Sequence, residues 1–276
     1  MPFCQAKLGI ATTSSRRIGF AAQTNRRAVL ALGAGSVLGL GTVGNHGLRL
    51  NQKISRVPDL RNGHLVSLRD ASPENAAPRV LLVGNSALIV SGFLQKLEEH
   101  AACSGRNVRF ARAAAYGARL IISLRIAELR RLIGDVSWDV IVLQDFSSVP
   151  LDRADRFAST VAINTFARIA GDVPLVLFPH WPSGPNHRVY GEGLGWRYRI
   201  PTDIRDYAHH AQSHYNAAAE DTGATVAPLL QRWVAAIESG QSLYKSDKHH
   251  ANETGAELAA GALWHGVEKN LRVRQS

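Results

Sequence analysis

From residue 79 onward, apolar residues follow two alternating patterns. Short continuous apolar runs, typical of strands buried on both faces, occur at residues 80–83, 108–110, 140–143, 175–178 and 225–226. Between them, longer segments repeat apolar positions with the period of an amphipathic helix, near 87–102, 118–133, 153–170, 204–221, 228–238 and 252–270. This alternation predicts an α/β domain with a parallel sheet covered by helices on both faces.

The chain before residue 79 lacks this alternation. Residues 45–78 are polar and contain Pro58, Pro73 and Pro78, which favours a linker or entry segment. We therefore divide the 276 residues into an N-terminal segment (1–44), a linker (45–78) and a single large domain (79–276).

The N-terminal segment has the composition of an export signal. Arg26-Arg27 precedes a stretch of about 15 residues, rich in Gly, Ala, Leu and Val and uncharged to about Val43. It resembles a twin-arginine signal, with Arg26-Arg27 as the pair and a mildly apolar stretch behind it. Because the stretch is shorter than the roughly 20 apolar residues that span a bilayer, a permanent transmembrane helix is the less favoured interpretation. The resemblance implies contact with the export machinery and a periplasmic or extracellular location, with membrane anchoring if the signal stays uncleaved. A disordered basic leader is the alternative.

The net charge of +10 comes largely from the same segment. Residues 1–50 hold six of the 32 Lys and Arg residues and no Asp or Glu, so the remainder carries 26 basic against 22 acidic residues. These charges are spread along the chain without a basic stripe interleaved with aromatic residues. The composition therefore does not indicate a nucleic-acid partner.

The two cysteines, Cys4 and Cys103, cannot form a disulfide within residues 79–276. Cys103 ends an apolar helical pattern, so we expect a buried packing residue.

Polar or small residues follow four of the predicted strands. In an open parallel sheet the carboxyl ends of the strands form the ligand-binding edge. The residues expected at this edge are Asn85-Ser86, Tyr116-Gly117, Gln144-Asp145 and His180-Trp181. Residues 180–203 form the longest interval without helical pattern, and we expect them to make a substrate-facing wall.

Ser86, His250 and Asp247 can supply a serine nucleophile, its base and the group that orients the base. An Asp three residues before a His can hold one ring nitrogen while the other deprotonates a serine hydroxyl. Ser86 could instead only cap the helix that follows. His249 is expected to be a solvated neighbour of the base.

Three further groups could stabilise the oxyanion that forms when a serine attacks a carbonyl. They are the backbone N–H of Ser86, the backbone N–H of Gly117 and the side-chain amide of Gln144. Asn85, Asp145, His180 and Trp181 are possible substrate-lining residues, although Asp145 could equally cap a turn and the His180-Trp181 pair could equally be packed.

The order "LLVGNSALI", Gly117, "WDVIVLQDFS" and "DKHHANETG" resembles the four motif blocks of the SGNH (GDSL-like) hydrolase superfamily. It is most similar to the branch with Gly-Asn-Ser in the first block and Leu-Gln-acid in the third. The resemblance covers about residues 79–270. It implies a three-layer α/β/α sandwich with a flavodoxin-like sheet, and ester hydrolysis through an acyl-serine without a metal or cofactor.

Carried over by position, the resemblance makes Ser86 the nucleophile and completes the triad with Asp247 and His250. Ser86 N–H and Gly117 would be oxyanion donors, and Gln144 would stand where the family usually has Asn. Two positions depart from the commoner pattern. In the first block Asn85 replaces an Asp, which changes the support of the serine turn. In the third block Gln144 replaces an Asn and is one methylene longer.

A metal site is the less favoured use of Asp206, His210 and His214, which are spaced to share one helix face.

The expected function is removal of an acetyl or other short acyl group from a carbohydrate. The alternatives are an acyltransferase using the same site and a catalytically silent carbohydrate-binding module.

Overall fold

The structure is a computed structural model, and it describes residues 77–89, 92–190 and 200–271. The predicted signal segment and all but the last two residues of the predicted linker lie outside this part of the chain.

Five parallel strands form the sheet: β1 (Arg79–Gly84), β2 (Arg109–Ala114), β3 (Val140–Leu143), β4 (Leu175–Leu177) and β5 (Thr225–Val226). Their order is β2-β1-β3-β4-β5, with β1 paired to both β2 and β3. This is the flavodoxin-like order, in which the direction of strand addition reverses between β1 and β3. The predicted parallel α/β sheet is confirmed.

In the described part of the chain, seven helices flank the sheet: α1 (Phe93–Cys103), α2 (Leu120–Ser123), α3 (Ala127–Asp135), α4 (Arg153–Ala170), α5 (Ile204–Thr222), α6 (Leu229–Glu238) and α7 (Glu253–Asn270). Short 3-10 turns occupy Ser86–Leu88, Val149–Leu151 and Arg188–Tyr190. No helix in the described ranges is long and apolar enough to cross a membrane.

The two faces of the sheet pack into separate apolar cores. Val80 and Leu82 of β1 contact the layer formed by α1, α6 and α7, whereas Leu81 and Val83 contact the layer that contains α2 to α5. Alternate residues of a strand point to opposite faces, so an entirely apolar strand fits a sheet covered on both sides. The three-layer α/β/α sandwich follows from this pattern.

Two predicted helices are interrupted. The segment predicted at 87–102 has a 3-10 turn before α1, and α1 begins after Gly92, whose φ of 66° is left-handed. The segment predicted at 118–133 divides into α2 and α3, because Ile126 is extended. A helical period in the sequence does not reveal such breaks, since the apolar positions on either side remain in phase.

Cys103 is exposed, so the prediction that it is buried is wrong. The buried residues of α1 are Phe93, Leu97 and Ala101. Cys103 follows Ala101 by two residues, and positions two apart point to nearly opposite sides of a helix. The Cys103 side chain therefore faces solvent.

Candidate active site

Asp247 and His250, two of the predicted catalytic residues, are in direct contact. The Nδ1–H of His250 donates to Oδ2 of Asp247 across 2.6 Å. The other carboxylate oxygen accepts the backbone N–H groups of His249 and His250, each at 2.9 Å. Burial opposes the charge on Asp247, but these hydrogen bonds together hold its pKa below the ordinary value. This contact leaves Nε2 of His250 as the basic nitrogen.

The loop that carries this pair is folded tightly upon itself. Tyr244 and Ala251 form an antiparallel bridge, and Lys245 N–H donates to His250 O at 2.8 Å. Within the loop, Lys248 adopts a left-handed φ of 54°. Helix α7 starts immediately afterwards, where the Asn252 side chain accepts the Gly255 N–H at 2.9 Å. The loop is therefore fixed at both of its ends.

Ser86 is partly exposed and begins the 3-10 turn at the carboxyl end of β1. The residue that caps this turn is Asn85, whose Oδ1 accepts the Ala87 N–H at 3.1 Å. Capping is therefore not the role of the Ser86 side chain. Within the described ranges, no hydrogen bond joins the Ser86 hydroxyl to the His250 ring.

The chain nevertheless brings the neighbours of both residues into one core. Ala87 and Leu88, which follow Ser86, belong to the same apolar cluster as Ala251, which follows His250. Helix α1 also pairs with α7 through Lys96, which lies 3.4 Å from Glu257. The residues that follow the nucleophile candidate and the base candidate are thus packed into the same apolar core.

Asn85 is almost fully buried and supports the serine turn. Besides accepting from Ala87, its Nδ2 donates to the backbone oxygen of Asp145 at 2.9 Å. An Asn can fill both roles because its amide has a donor and an acceptor. The predicted substrate-lining position of Asn85 is instead an internal support that joins the ends of β1 and β3.

Tyr116 and Gly117 lie at the exposed rim beyond β2. Gly117 has a left-handed φ of 69°, and a Cβ built there meets nothing within 4 Å, so the backbone conformation rather than crowding favours glycine. The Ala115 N–H donates to Gly84 O at 3.3 Å, which ties this rim to the end of β1. The Tyr116 side chain is 69% exposed.

Gln144 follows β3 and is completely buried. Neither its Nε2 nor its Oε1 has a hydrogen-bond partner among the described residues. A Cβ at Gly84 would lie only 2.9 Å from Gln144 Cβ and 2.8 Å from Leu88 Cδ1, so this glycine allows the ends of β1 and β3 to approach. Gln144 therefore lies beside the serine turn with an unsatisfied amide.

Asp145 is also buried, and its carboxylate is used within the protein. Oδ1 accepts the Leu120 N–H at 3.1 Å and the Phe146 N–H at 2.8 Å. Burial raises the pKa of Asp145, although these hydrogen bonds and the charge of Arg119 oppose the rise. Of the two roles considered for Asp145, the contacts fit turn capping, since its carboxylate links the start of α2 to the end of β3.

His180 and Trp181 are 5% and 1% exposed, so they lie beneath the surface of the site. The His180 Nδ1–H donates to Trp181 O at 2.8 Å, and its ring stacks on that of His249 at 5.4 Å. Packing, rather than contact with substrate, describes both side chains.

His249 is not the solvated neighbour that we expected. Its ring lies between those of His180 and His187, and its Nδ1 is 3.2 Å from the Ser183 hydroxyl. Burial lowers the pKa of His180 to about 3 and that of His249 to about 4. Both rings are consequently neutral near pH 7. The sequence carries no signal for this cluster, because Ser183 and His249 are 66 residues apart.

The residues of the alternative metal site do not converge. His210 Nε2 lies 3.1 Å from Asp206 Oδ1, whereas His214 contacts the Ser159 hydroxyl at 3.2 Å on the neighbouring helix α4. In the part of the chain that the structure describes, no group of three or more His, Cys, Asp or Glu residues could hold a metal ion.

The predicted substrate-facing wall is described over residues 180–190 and 200–203, and Tyr190 donates to Ser183 O at 2.5 Å. Trp196 and Tyr198 lie outside the described residues.

Several solved structures share this architecture. A protein from Slackia heliotrinireducens described as a candidate SGNH hydrolase is 23% identical, with a TM-score of 0.56 over 69% of this chain and 99% of that chain. A lipase/acylhydrolase from Enterococcus faecalis is 17% identical, with a TM-score of 0.51 over 72% and 100%. The fold is that of the SGNH hydrolases.

A DUF4886 family protein from Bacteroides uniformis is 17% identical, with a TM-score of 0.54 over 72% of this chain and 84% of that chain. No protein-family model matches the chain. No curated protein matches it in sequence either. At these identities the structural likeness extends to the fold, and the chemistry has to be argued from the residues themselves.

Proposed function

We propose that the protein is a serine hydrolase that cleaves carboxylic esters through an acyl-serine intermediate. The observation that carries this proposal is the 2.6 Å contact between Asp247 and His250, which lie in the loop between α6 and α7. A neutral histidine whose Nδ1–H is held by a carboxylate presents Nε2 as a general base. Ser86 lies beyond β1, next to the point where the strand order reverses and ligands bind in such sheets.

In the proposed reaction, Ser86 Oγ attacks the ester carbonyl while His250 Nε2 accepts the hydroxyl proton. The resulting tetrahedral oxyanion collapses, the bond to the alcohol oxygen breaks, and His250 returns the proton to the departing alcohol. A water molecule, deprotonated by His250, then attacks the acyl carbon. The bond from that carbon to Ser86 Oγ breaks, His250 returns the proton to Ser86 Oγ, and the acid is released. Asp247 stabilises the imidazolium in both halves of the reaction.

The proposed oxyanion donors are the N–H groups of Ser86 and Gly117 and the side-chain amide of Gln144. The unsatisfied amide of Gln144 beside the serine turn supports the third assignment, because a donor without a partner has a hydrogen bond to give. The Gln144 side chain is completely buried, so it would have to turn toward the site to reach an oxyanion. The lipase/acylhydrolase among the structures of similar fold supports ester chemistry as the reaction class.

We further propose an acetyl or other short acyl group on a carbohydrate as the substrate. The exposed ring of Tyr116 beside Gly117 supports this proposal, since an accessible aromatic face is a suitable contact for a sugar ring. The proposed export through Arg26-Arg27 would place the enzyme where extracellular carbohydrates occur.

Hydrolysis of p-nitrophenyl acetate and of acetylated sugars by the purified protein tests the reaction class. Turnover by the native protein and its loss in Ser86→Ala are expected. No turnover by the native protein, or equal turnover by the variant, would contradict the proposal. Adding a sugar acceptor distinguishes hydrolysis from acyl transfer, because a transferase would convert the acceptor into an acylated product.

The export proposal has its own test. In a strain without twin-arginine transport, the full chain should stay in the cytoplasm, and Arg26→Lys with Arg27→Lys should have the same effect in a normal strain. Unchanged export in both experiments would refute it.

A further inference from the structure

The segment that follows β4 holds the loop of Asp247 and His250 through several polar contacts. Gly184 N–H donates to Lys248 O at 2.6 Å, and Trp181 Nε1–H donates to His249 O at 2.9 Å. The Ser183 hydroxyl lies 3.2 Å from His249 Nδ1. These contacts join parts of the chain that are more than 60 residues apart.

The contact from Trp181 acts on the peptide unit between His249 and His250. The carbonyl of that unit accepts the Trp181 indole N–H, and its N–H, which belongs to His250, donates to Asp247 Oδ1 at 2.9 Å. A peptide unit is planar and trans, so its carbonyl and N–H point in opposite directions. Fixing the carbonyl on Trp181 therefore aims the N–H at Asp247.

The Trp181 indole is itself held in place. Its ring is 1% exposed and stacks on Trp233, with centroids 5.0 Å apart and planes 7° from parallel. Trp233 Nε1–H donates to the Tyr244 hydroxyl at 2.7 Å, and that hydroxyl donates to Pro182 O at 2.9 Å. Rotation of the Trp181 indole would break both the stacking and its own hydrogen bond.

We propose that Trp181 is a positioning residue for the catalytic pair: its indole N–H orients the peptide between His249 and His250 so that Asp247 faces the His250 ring. This inference rests on the proposed function, because the pair is catalytic only in that account. Trp181 does not touch the reacting atoms, and its effect passes through the peptide and the Asp247 carboxylate.

Trp181→Phe separates positioning from packing. Phenylalanine keeps an aromatic ring against Trp233 but removes the N–H. We expect kcat for p-nitrophenyl acetate to fall about tenfold with KM unchanged, since a misoriented base affects the transition state more than substrate binding.

The matched control is Trp138→Phe. Trp138 is 5% exposed, and its Nε1–H donates to Leu132 O at 2.8 Å, so the substitution removes the same type of hydrogen bond. Trp138 belongs to the core on the opposite face of the sheet from Trp181. We expect a similar loss of thermal stability but an unchanged kcat.

A spectroscopic readout tests positioning independently of turnover. The proton on His250 Nδ1 should give a downfield NMR resonance that disappears in His250→Ala. Trp181→Phe should shift or broaden this resonance, and Trp138→Phe should leave it in place. An unmoved resonance in Trp181→Phe, or the same fall in kcat for both Trp variants, would overturn the proposal.

The two proposals fail in distinguishable ways. A native protein without esterase activity contradicts the proposed function, and the NMR comparison then still decides whether Trp181 orients the pair. If Trp181→Phe does not fold, Ser183→Ala loosens His249 without removing a core ring. It should reduce kcat by a smaller factor with KM unchanged, and an unchanged kcat and resonance would count against the inference.

Discussion

His250 Nδ1 and Asp247 Oδ2 lie 2.6 Å apart, and the second oxygen of the same carboxylate accepts the His250 backbone N–H. One carboxylate therefore fixes both the ring and the backbone of the proposed base. Rotation of the ring would cost a charge-assisted hydrogen bond. This arrangement accounts for the spacing of two residues between Asp247 and His250.

Asp247→Asn should reduce kcat for p-nitrophenyl acetate by about 10³–10⁴-fold, because an amide in place of the carboxylate favours the wrong histidine tautomer and does not stabilise an imidazolium. KM should change little. Steady-state kinetics provide the measurement. The control is Asp172→Asn, an exposed aspartate after α4, and equal activity of the two variants would argue against the pair.

Asn85→Asp should destabilise the protein by about 1–3 kcal/mol, although Asp is the commoner residue of the family pattern that this motif resembles. The buried carboxylate could still accept from Ala87 but would face the Asp145 carbonyl without a proton to donate. Urea unfolding measures the change. In Asn216→Asp, an exposed residue that accepts from Gln212, the hydrogen bond is retained, so a smaller loss is expected. Equal stability of Asn85→Asp and the native protein would contradict this role.

Gln144→Leu should have opposite effects on stability and activity. Removing a buried amide without a partner should increase the free energy of unfolding by about 1–3 kcal/mol. Loss of an oxyanion donor should lower kcat by about 10²-fold. Denaturant unfolding and steady-state kinetics on one preparation measure both quantities. A stabilised variant with native kcat would remove Gln144 from the oxyanion site.

His214 should make the protein less stable in acid. Burial, with the charge of Arg156, lowers its pKa to about 4, whereas an unfolded chain has the ordinary value near 6.5. Between these values the unfolded state binds more protons, so the stability is complete above pH 6.5 and decreases as the pH falls toward 4. The loss from this residue amounts to about 3 kcal/mol.

His214→Gln should therefore show a weaker dependence of the melting temperature on pH between 7 and 4 than the native protein. The remaining dependence is expected from His180 and His249, which are also held neutral by burial. Melting curves of native and variant protein that stay parallel over this interval would refute the assignment.

The sequence predicts the layers of the fold well because its strands and longer helices have strong patterns. The predicted bounds 153–170 match those of α4, where Asp152 accepts the Asp155 N–H and marks the start. The strand at 140–143 is equally clear, since every residue is apolar. The 3-10 turn at Ser86 could not be predicted, because three residues are too short to show a period.

The sequence indicates which edge of the sheet carries the proposed site residues, but not how deeply their side chains are buried. A position after a strand indicates the correct edge of the sheet, but it does not say whether a side chain points outward or inward. Gln144, Asp145, His180 and Trp181 all follow strands, and all are buried. The contact between Trp181 and His249 spans 68 residues, and no local pattern in the sequence encodes it.

Peptide mass spectrometry after treatment with a fluorophosphonate decides whether Ser86 is the nucleophile. We expect one covalent phosphonyl adduct on the peptide containing Ser86, formed much more slowly in His250→Ala. Ser147→Ala, which alters another serine after a strand, should be labelled like the native protein. A protein that remains unlabelled, or that is labelled on another residue while Ser86→Ala reacts at the native rate, would contradict the account.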